Sequence, residues 1–335
     1  MTDLPHIGLV ISGGTLTALA EDPYEICDYG QAGSYTVPEV MRQFGHLDQR
    51  FRVTEVPFDP VPSFDMGFTK WRDIYTSCRV TLAQNPDIEG FVLTHGTGAL
   101  AETAFFLSLV WDLGVPLVVT GAQRPASAQG SDGPMNLFHA LKAAADPRIL
   151  GSGVVVAINA ELHDPRDVSK FDNAALGSFR SPWRGSLGRF TGNTLDLFRP
   201  IVSHLIPTAS EAWQKLSDLP RVDILFCHSD GDTTALEAFF AAGAQGIVIA
   251  GFAPGYATSV QAQALEHWSK TKGGIVIAAS HASGRVPENS RNHSHGFMSA
   301  ASLSPAKARI LLQLCVSQQK SSKEISELFD RVSAG

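Results

Sequence analysis

His6-Ile7-Gly8-Leu9-Val10-Ile11-Ser12-Gly13-Gly14-Thr15 is the stretch on which the fold turns. Six mostly apolar residues followed by two glycines read as a short buried strand ending in a sharp turn, with a threonine just beyond it. Phe91-Val92-Leu93-Thr94-His95-Gly96-Thr97 has the same form. Each threonine is thus expected past the carboxyl end of a strand, the place where open α/β sheets build their sites.

Outward from these two segments the pattern alternates. Strand-like runs at Gly8–Ile11, Phe91–Leu93, Leu117–Thr120 and Val154–Ile158 are interleaved with helical patterns at Ala101–Asp112 and Pro134–Ala145, which predicts βαβ units around a mostly parallel sheet. A second series follows an irregular stretch near Phe190–Leu219. It comprises strand Val222–Cys227, helix Thr233–Ala242, strand Gly246–Ala250, helix Val260–Lys270 and strand Gly274–Ala279. Ser304-Pro305 supplies a cap and first-turn proline for a helix through Leu314, and Ser321 with Glu324 forms a capping box for the last helix. At 335 residues the chain exceeds the size at which one core stops growing. The expected organisation is an α/β, two-domain chain: a larger N-terminal domain over 1–195 with a mostly parallel sheet and flanking helices, a linker over 196–219, and a smaller C-terminal α/β domain over 220–335.

Composition narrows the partners. A formal charge of -7 without any Lys/Arg-rich block argues against nucleic acid or an anionic membrane surface. No apolar stretch reaches the roughly 20 residues that span a bilayer, and the first residues lack the basic start and apolar core of a signal peptide. A cytoplasmic location and a small-molecule substrate are therefore expected, with no nucleic acid and no membrane. Cys27, Cys78, Cys227 and Cys315 make no C-x-x-C pair and read as unpaired thiols.

The chemistry comes from side chains at these turns. A Gly-Gly-Thr turn brings a hydroxyl and backbone N–H groups to one point, which suits Thr15 as a nucleophile beside an oxyanion site. A tight structural turn would use the same glycines. A phosphate cradle would need a Gly-Lys-Ser/Thr ending or a third spaced glycine, and neither is present. A threonine needs a group to accept its proton, and Lys170 paired with Thr97 can relay one if burial keeps the amine neutral. The ordinary alternatives are a solvated Lys170 paired with Asp167, and Thr97 as a helix cap. His228, Ser229, Asp230 and Asp232, with His281, His293 and His295, include metal-ligand types, but their spacing alone favours structural or interface roles. No metal and no cofactor are expected.

At these residues the chain resembles the asparaginase/glutaminase family, the bacterial-type two-domain threonine amidohydrolases. The likeness covers nearly the whole length: Ser12-Gly13-Gly14-Thr15, Thr94-His95-Gly96-Thr97, Thr120-Gly121-Ala122-Gln123-Arg124-Pro125, Ser131-Asp132-Gly133-Pro134-Met135-Asn136-Leu137, Arg166-Asp167-Val168-Ser169-Lys170 and Gly284-Arg285-Val286-Pro287. The resemblance implies a homotetramer built from intimate dimers, with each site completed by a neighbouring subunit. It also implies roles: Thr15 attacks the carbonyl, and Tyr35 in the N-terminal loop helps activate it, with Tyr24 and Tyr29 as other tyrosines of that loop. Thr97 and Lys170 form a second hydroxyl–amine pair, while the amides of Thr97 and Ala122 face the oxyanion. His95 is left as packing.

The departures from the family pattern are equally informative. Where the family has an aspartate that binds the substrate α-ammonium, this chain has Gly98. Ser63 matches the serine that holds the α-carboxylate, but Phe64 replaces a polar residue. The neighbour's asparagine becomes Pro254 or Gly255, and Glu288 is only a weak match for its glutamate. The expected activity is hydrolysis of an amide, cyclic imide, lactam or lactone that lacks a free α-amino group. The alternatives are a conventional L-asparaginase or glutaminase whose ammonium partner has moved, and a catalytically weak binding protein.

Overall fold

β1 (His6–Ile11) is buried along nearly its whole length, as a strand covered on both faces must be, which explains a run without polar alternation. The computed structural model describes residues 4–206 and 213–334. The chain divides into two units, 1–207 and 208–335.

In the first unit β1 lies between β2 (Arg52–Glu55) and β3 (Gly90–Thr94), both parallel to it. β4 (Leu117–Thr120) and β5 (Val154–Ile158) continue the parallel set. β6 (Glu161–His163) then turns antiparallel, and a short pair, β7 (Ser169–Lys170) with β8 (Phe179–Arg180), stands apart from the main sheet. β9 (Gly188–Thr191) and β10 (Thr194–Leu197) finish the sheet, giving the order β10-β9-β6-β5-β4-β3-β1-β2. β10 runs to Leu197, past the expected domain limit at 195, so the hairpin belongs to the N-terminal sheet.

The strand order reverses direction at β1: the chain goes outward to β2 and then returns to β3 on the other side. Such a reversal opens a crevice at the carboxyl ends of the two strands. The crevice falls between β1 and β3, and both expected threonine loops leave from it.

Helices α1 (Val37–Gln43), α2 (Phe68–Gln84), α3 (Leu100–Val110) and α4 (Gly133–Ala144) pack around the first sheet. On α2 the buried residues Phe68, Trp71, Ile74, Tyr75, Cys78 and Thr81 recur every three or four positions. The core beneath the site includes Leu9, Leu16, Val92, Val118, Ala122 and Leu137.

The second unit holds four parallel strands in chain order: β11 (Val222–Phe226), β12 (Gly246–Gly251), β13 (Ile275–Ser280) and β14 (Met298–Ser299). Helices α5 (Thr234–Ala241), α6 (Ser259–Lys272), α7 (Ser290–Ser294), α8 (Pro305–Ser317) and α9 (Ser322–Ala334) complete it. The expected cap at Ser304 is present, its side chain accepting from the Lys307 amide. The capping box at Ser321 and Glu324 is also made.

One buried charge cluster braces the first unit. Asp164 accepts from His204 Nε2 at 2.8 Å and lies 3.2 Å from Arg166. Burial opposes ionisation of Asp164, but the His204 hydrogen bond and charge, then Arg166, outweigh it and hold the carboxyl at about 2, below the ordinary 3.8. A lowered folded-state value means stability that is present above pH 3.8 and lost as the pH falls through about 2. Asp164→Asn is therefore expected to cost about 3–5 kcal/mol in urea unfolding at pH 7, because the buried carboxylate that His204 and Arg166 both face loses its charge. The deficit should shrink as unfolding is repeated toward pH 2, and a deficit independent of pH would contradict this.

Candidate active site

The two threonine loops are pressed together by their glycines. Gly13 and Gly14 have φ of +101° and +92°, and a Cβ on Gly14 would sit 2.5 Å from the Cα of Gly96. Only glycine tolerates both that conformation and that approach. Register starts the contact, since Ile11 pairs with Thr94. Ser12 extends it by donating its amide and its hydroxyl to the Thr94 carbonyl at 3.1 and 2.8 Å. Thr15 and Thr97 each follow immediately, and both are buried.

Thr15 Oγ1 lies 2.7 Å from the hydroxyl of Tyr29. Tyr35, the tyrosine expected from the resemblance, is placed elsewhere: its ring stands edge-on to Phe44 at 6.3 Å and packs on the core. The reason is local. Thr36 caps α1, and this anchors Tyr35 at the base of that helix. The Gly30 amide donates to the Leu19 carbonyl at 2.8 Å, and the Leu19 amide donates to Gly33, folding the loop so that Tyr29 reaches Thr15. Tyr24 is 78% exposed and takes no part.

Lys170 Nζ donates to Thr97 Oγ1 at 2.8 Å. The lysine is held there by the β7–β8 pairing, in which it faces Phe179. Burial lowers its pKa below 10.5, opposed by the Asp172 carboxylate, so a neutral amine is reached at lower pH than for a solvated lysine. Asp167 does not pair with it. That carboxylate accepts the amides of Trp183 and Arg184 at 3.3 and 2.8 Å.

The third wall is the segment after β4. Asp132, at the start of α4, accepts the amides of Gln123 and Arg124 at 3.0–3.1 Å, and Asn136 Nδ2 donates to the Gly121 carbonyl at 2.9 Å. Gln123 Nε2 donates to Ser178, which ties this loop to the strand pair holding Lys170. Ala122, between these anchors, is fully buried. Among the described residues neither the Thr97 nor the Ala122 amide donates a hydrogen bond, which leaves two backbone donors for a developing oxyanion. Sequence reading noticed Asp132 and Asn136 only as part of a motif, and an acid opening a helix is the signal that could have found them.

At the expected head-group position, a Cβ on Gly98 would have a single neighbour within 4 Å, Ser63 Oγ at 2.9 Å. Ser63 and Gly98 are thus together, and among the described residues no carboxylate atom lies within 4 Å of that Cβ position. Phe64 is 83% exposed. His95 is fully buried, and burial drops its pKa to about 4 against the opposing hydrogen bond to Gly96, so it stays neutral. In the second unit His228 Nδ1 turns to the Ser229 carbonyl, His281 stacks on Phe226, and His295 pairs with Glu266. Among the described residues no three acidic, histidine or cysteine side chains converge as a metal site.

An apolar-backed crevice with two hydroxyls, an amine and two unpartnered amides defines an acyl-transfer site, and comparison with known proteins gives the family. The model described as asparaginase, N-terminal, matches residues 6–203, and that of the glutaminase/asparaginase C-terminal domain matches 221–329. The chain belongs to the asparaginase/glutaminase family. It is 33% identical over 331 residues to a probable periplasmic L-asparaginase of Haemophilus influenzae, covering 98% of this chain and 93% of that protein. It is 36% identical to a glutaminase-asparaginase of Pseudomonas fluorescens, covering 98% and 91%. A crystal structure of a probable cytoplasmic L-asparaginase from Campylobacter jejuni superposes with a TM-score of 0.88 at 29% identity, covering 97% of this chain and 99% of that one.

The geometry separates two tyrosines. Tyr29→Phe should lower the rate of amide hydrolysis by about a hundredfold or more, the scale of a lost proton-transfer group. Tyr35→Phe, with its hydroxyl away from Thr15, should change it by less than about threefold. Steady-state kinetics of the two variants checks this, and the reverse order would restore Tyr35.

Proposed function

We propose that this chain is a threonine amidohydrolase whose preferred substrate lacks a free α-amino group. Membership of the family makes it a hydrolase of carbon–nitrogen bonds. The narrower reading rests on one observation: the position beside Thr97 is Gly98, and among the described residues the one non-adjacent atom within 4 Å of a Cβ there is the Ser63 hydroxyl. An α-ammonium docked there would lose the charge-assisted bond that a carboxylate supplies, worth about 1.5–3 kcal/mol, while being drawn out of water.

In the proposed reaction Thr15 Oγ1 attacks the amide carbonyl as its proton moves to the Tyr29 hydroxyl, which in the same relay gives its own proton to the leaving nitrogen. The amides of Thr97 and Ala122 stabilise the oxyanion. Collapse expels the amine, which takes up a proton and leaves an ester on Thr15. Water, relieved of a proton through the Thr97–Lys170 pair, attacks that ester and releases the acid. Lys170 serves best as its neutral amine, so the rate rises with pH through its lowered pKa. Two intact hydroxyl pairs weigh against a binding protein without chemistry. A homotetramer and a cytoplasmic location belong to this reading; no helix among the described residues is long and apolar enough to cross a membrane.

The names of the relatives favour a second reading, a conventional L-asparaginase or glutaminase. Ammonia release from succinamate, which is asparagine without the α-amino group, against L-asparagine and L-glutamine separates the two. The proposal expects kcat/KM for succinamate at least about tenfold above that for L-asparagine, with Thr15→Ala inactive. Gly98→Asp, accommodated by rotation of Ser63, should shift the preference toward L-asparagine by about tenfold or more. Efficient Thr15-dependent turnover of L-asparagine by the wild-type protein would refute the proposal.

A further inference from the structure

A buried hydrogen-bond chain reaches the site from behind, through residues that touch no substrate in the reaction above. Trp71 on α2 donates its indole N–H to Thr103 Oγ1 on α3 at 2.8 Å, and Thr103 Oγ1 lies 2.9 Å from His95 Nε2. The other ring nitrogen, Nδ1, is 2.7 Å from the Gly96 carbonyl. A carbonyl only accepts, so Nδ1 carries the hydrogen. In a ring kept neutral by burial, Nε2 is then an acceptor and the Thr103 hydroxyl donates to it. Every hydrogen in the chain therefore runs one way, from Trp71 to Thr103 to His95 to Gly96.

His95 also holds the neighbouring wall. Its amide donates to the Thr120 carbonyl at 2.8 Å, and its own carbonyl sits where a Cβ on Gly121 would be only 2.6 Å away. One buried residue thus fixes both segments that present unpartnered amides, Gly96–Thr97 on one side and Gly121–Ala122 on the other. Trp71, Thr103 and His95 are all nearly or fully inaccessible, and Trp71 stacks on Phe106 at 4.6 Å, which gives the chain a rigid origin.

We propose that Trp71 and Thr103 are positioning residues for the oxyanion site, acting through the Nδ1–H tautomer of His95, which they set so that it holds the Gly96 carbonyl and with it the Thr97 amide. The inference rests on the amide-hydrolase reading only for its kinetic consequence, and its structural core stands without it. Misplacing a catalytic donor by a fraction of an ångström costs rate much more than binding.

The test compares Thr103→Val, which keeps shape and removes the hydroxyl, with Thr103→Ser, which restores it. In protein labelled with 15N-histidine and 15N-backbone, wild type should show His95 protonated at Nδ1 and unprotonated, hydrogen-bonded Nε2 at neutral pH. Thr103→Val should shift the Nε2 resonance together with the amides of Gly96, Thr97 and Ala122. Its kcat on succinamate or L-asparagine, whichever wild type turns over, should fall by about tenfold with KM within about twofold, and Thr103→Ser should return all of these. If Thr103→Val does not fold, Trp71→Phe removes only the first donor and should move the same resonances. An Nε2–H tautomer in wild type, or folded variants with unchanged resonances and kcat, would overturn the proposal. If wild type hydrolyses neither compound, the reading of function fails while the resonances still decide this one.

Discussion

Everything at the site depends on the contact between two glycine turns. A side chain on Gly14 would strike the Gly96 backbone at 2.5 Å, and one on Gly96 would strike Ser63 at 2.8 Å. Because β1 and β3 are neighbours in register, and because the sheet reverses its winding between them, the two threonines that follow these glycines enter one crevice. Lys170 and Tyr29 are then brought in from different directions, one on a short strand pair and the other on a loop folded over Leu19. The turn contact brings the two pairs side by side, and its loss would separate one pair from the other.

Much of this was legible in the chain. The runs at His6–Ile11 and Phe91–Leu93 announced buried parallel strands, and the glycines after them announced the tight turns. The C-terminal helices announced their starts through Ser304-Pro305 and the Ser321–Glu324 box. What could not be read was the path of the long first loop. Which of Tyr24, Tyr29 and Tyr35 meets Thr15 depends on the Gly30-to-Leu19 hydrogen bond, a long-range pairing that no local spacing encodes. The short strands β6 to β10 were equally hidden, being two to four residues long and half exposed, so neither alternation nor an apolar run had room to develop. α2 was missed despite a readable spacing of Phe68, Trp71, Ile74 and Cys78, because charged and polar residues of its outer face separate the apolar ones along the chain.

Family membership and the identity of the substrate live on different links of this argument. The strands, the glycine turns and the amide donors follow from the packing of β1, β3 and β4. Position 98 is different: a Cβ there would meet only the Ser63 hydroxyl within 4 Å among the described residues, and the proposed substrate preference rests on glycine standing at that place. Phe64, the next residue after Ser63, is largely exposed. The proposed preference for an amide without an α-amino group rests on position 98.

The central claim is that Thr15 is the atom acylated, and the most direct measurement is peptide mapping by mass spectrometry after rapid acid quench of a Lys170→Met variant incubated with succinamate. With deacylation slowed by loss of the amine, the account predicts a succinyl ester on the peptide containing Thr15, absent in Thr15→Ala. A succinyl group on Thr97 or another residue, or no covalent adduct while succinamate is still consumed, would contradict it.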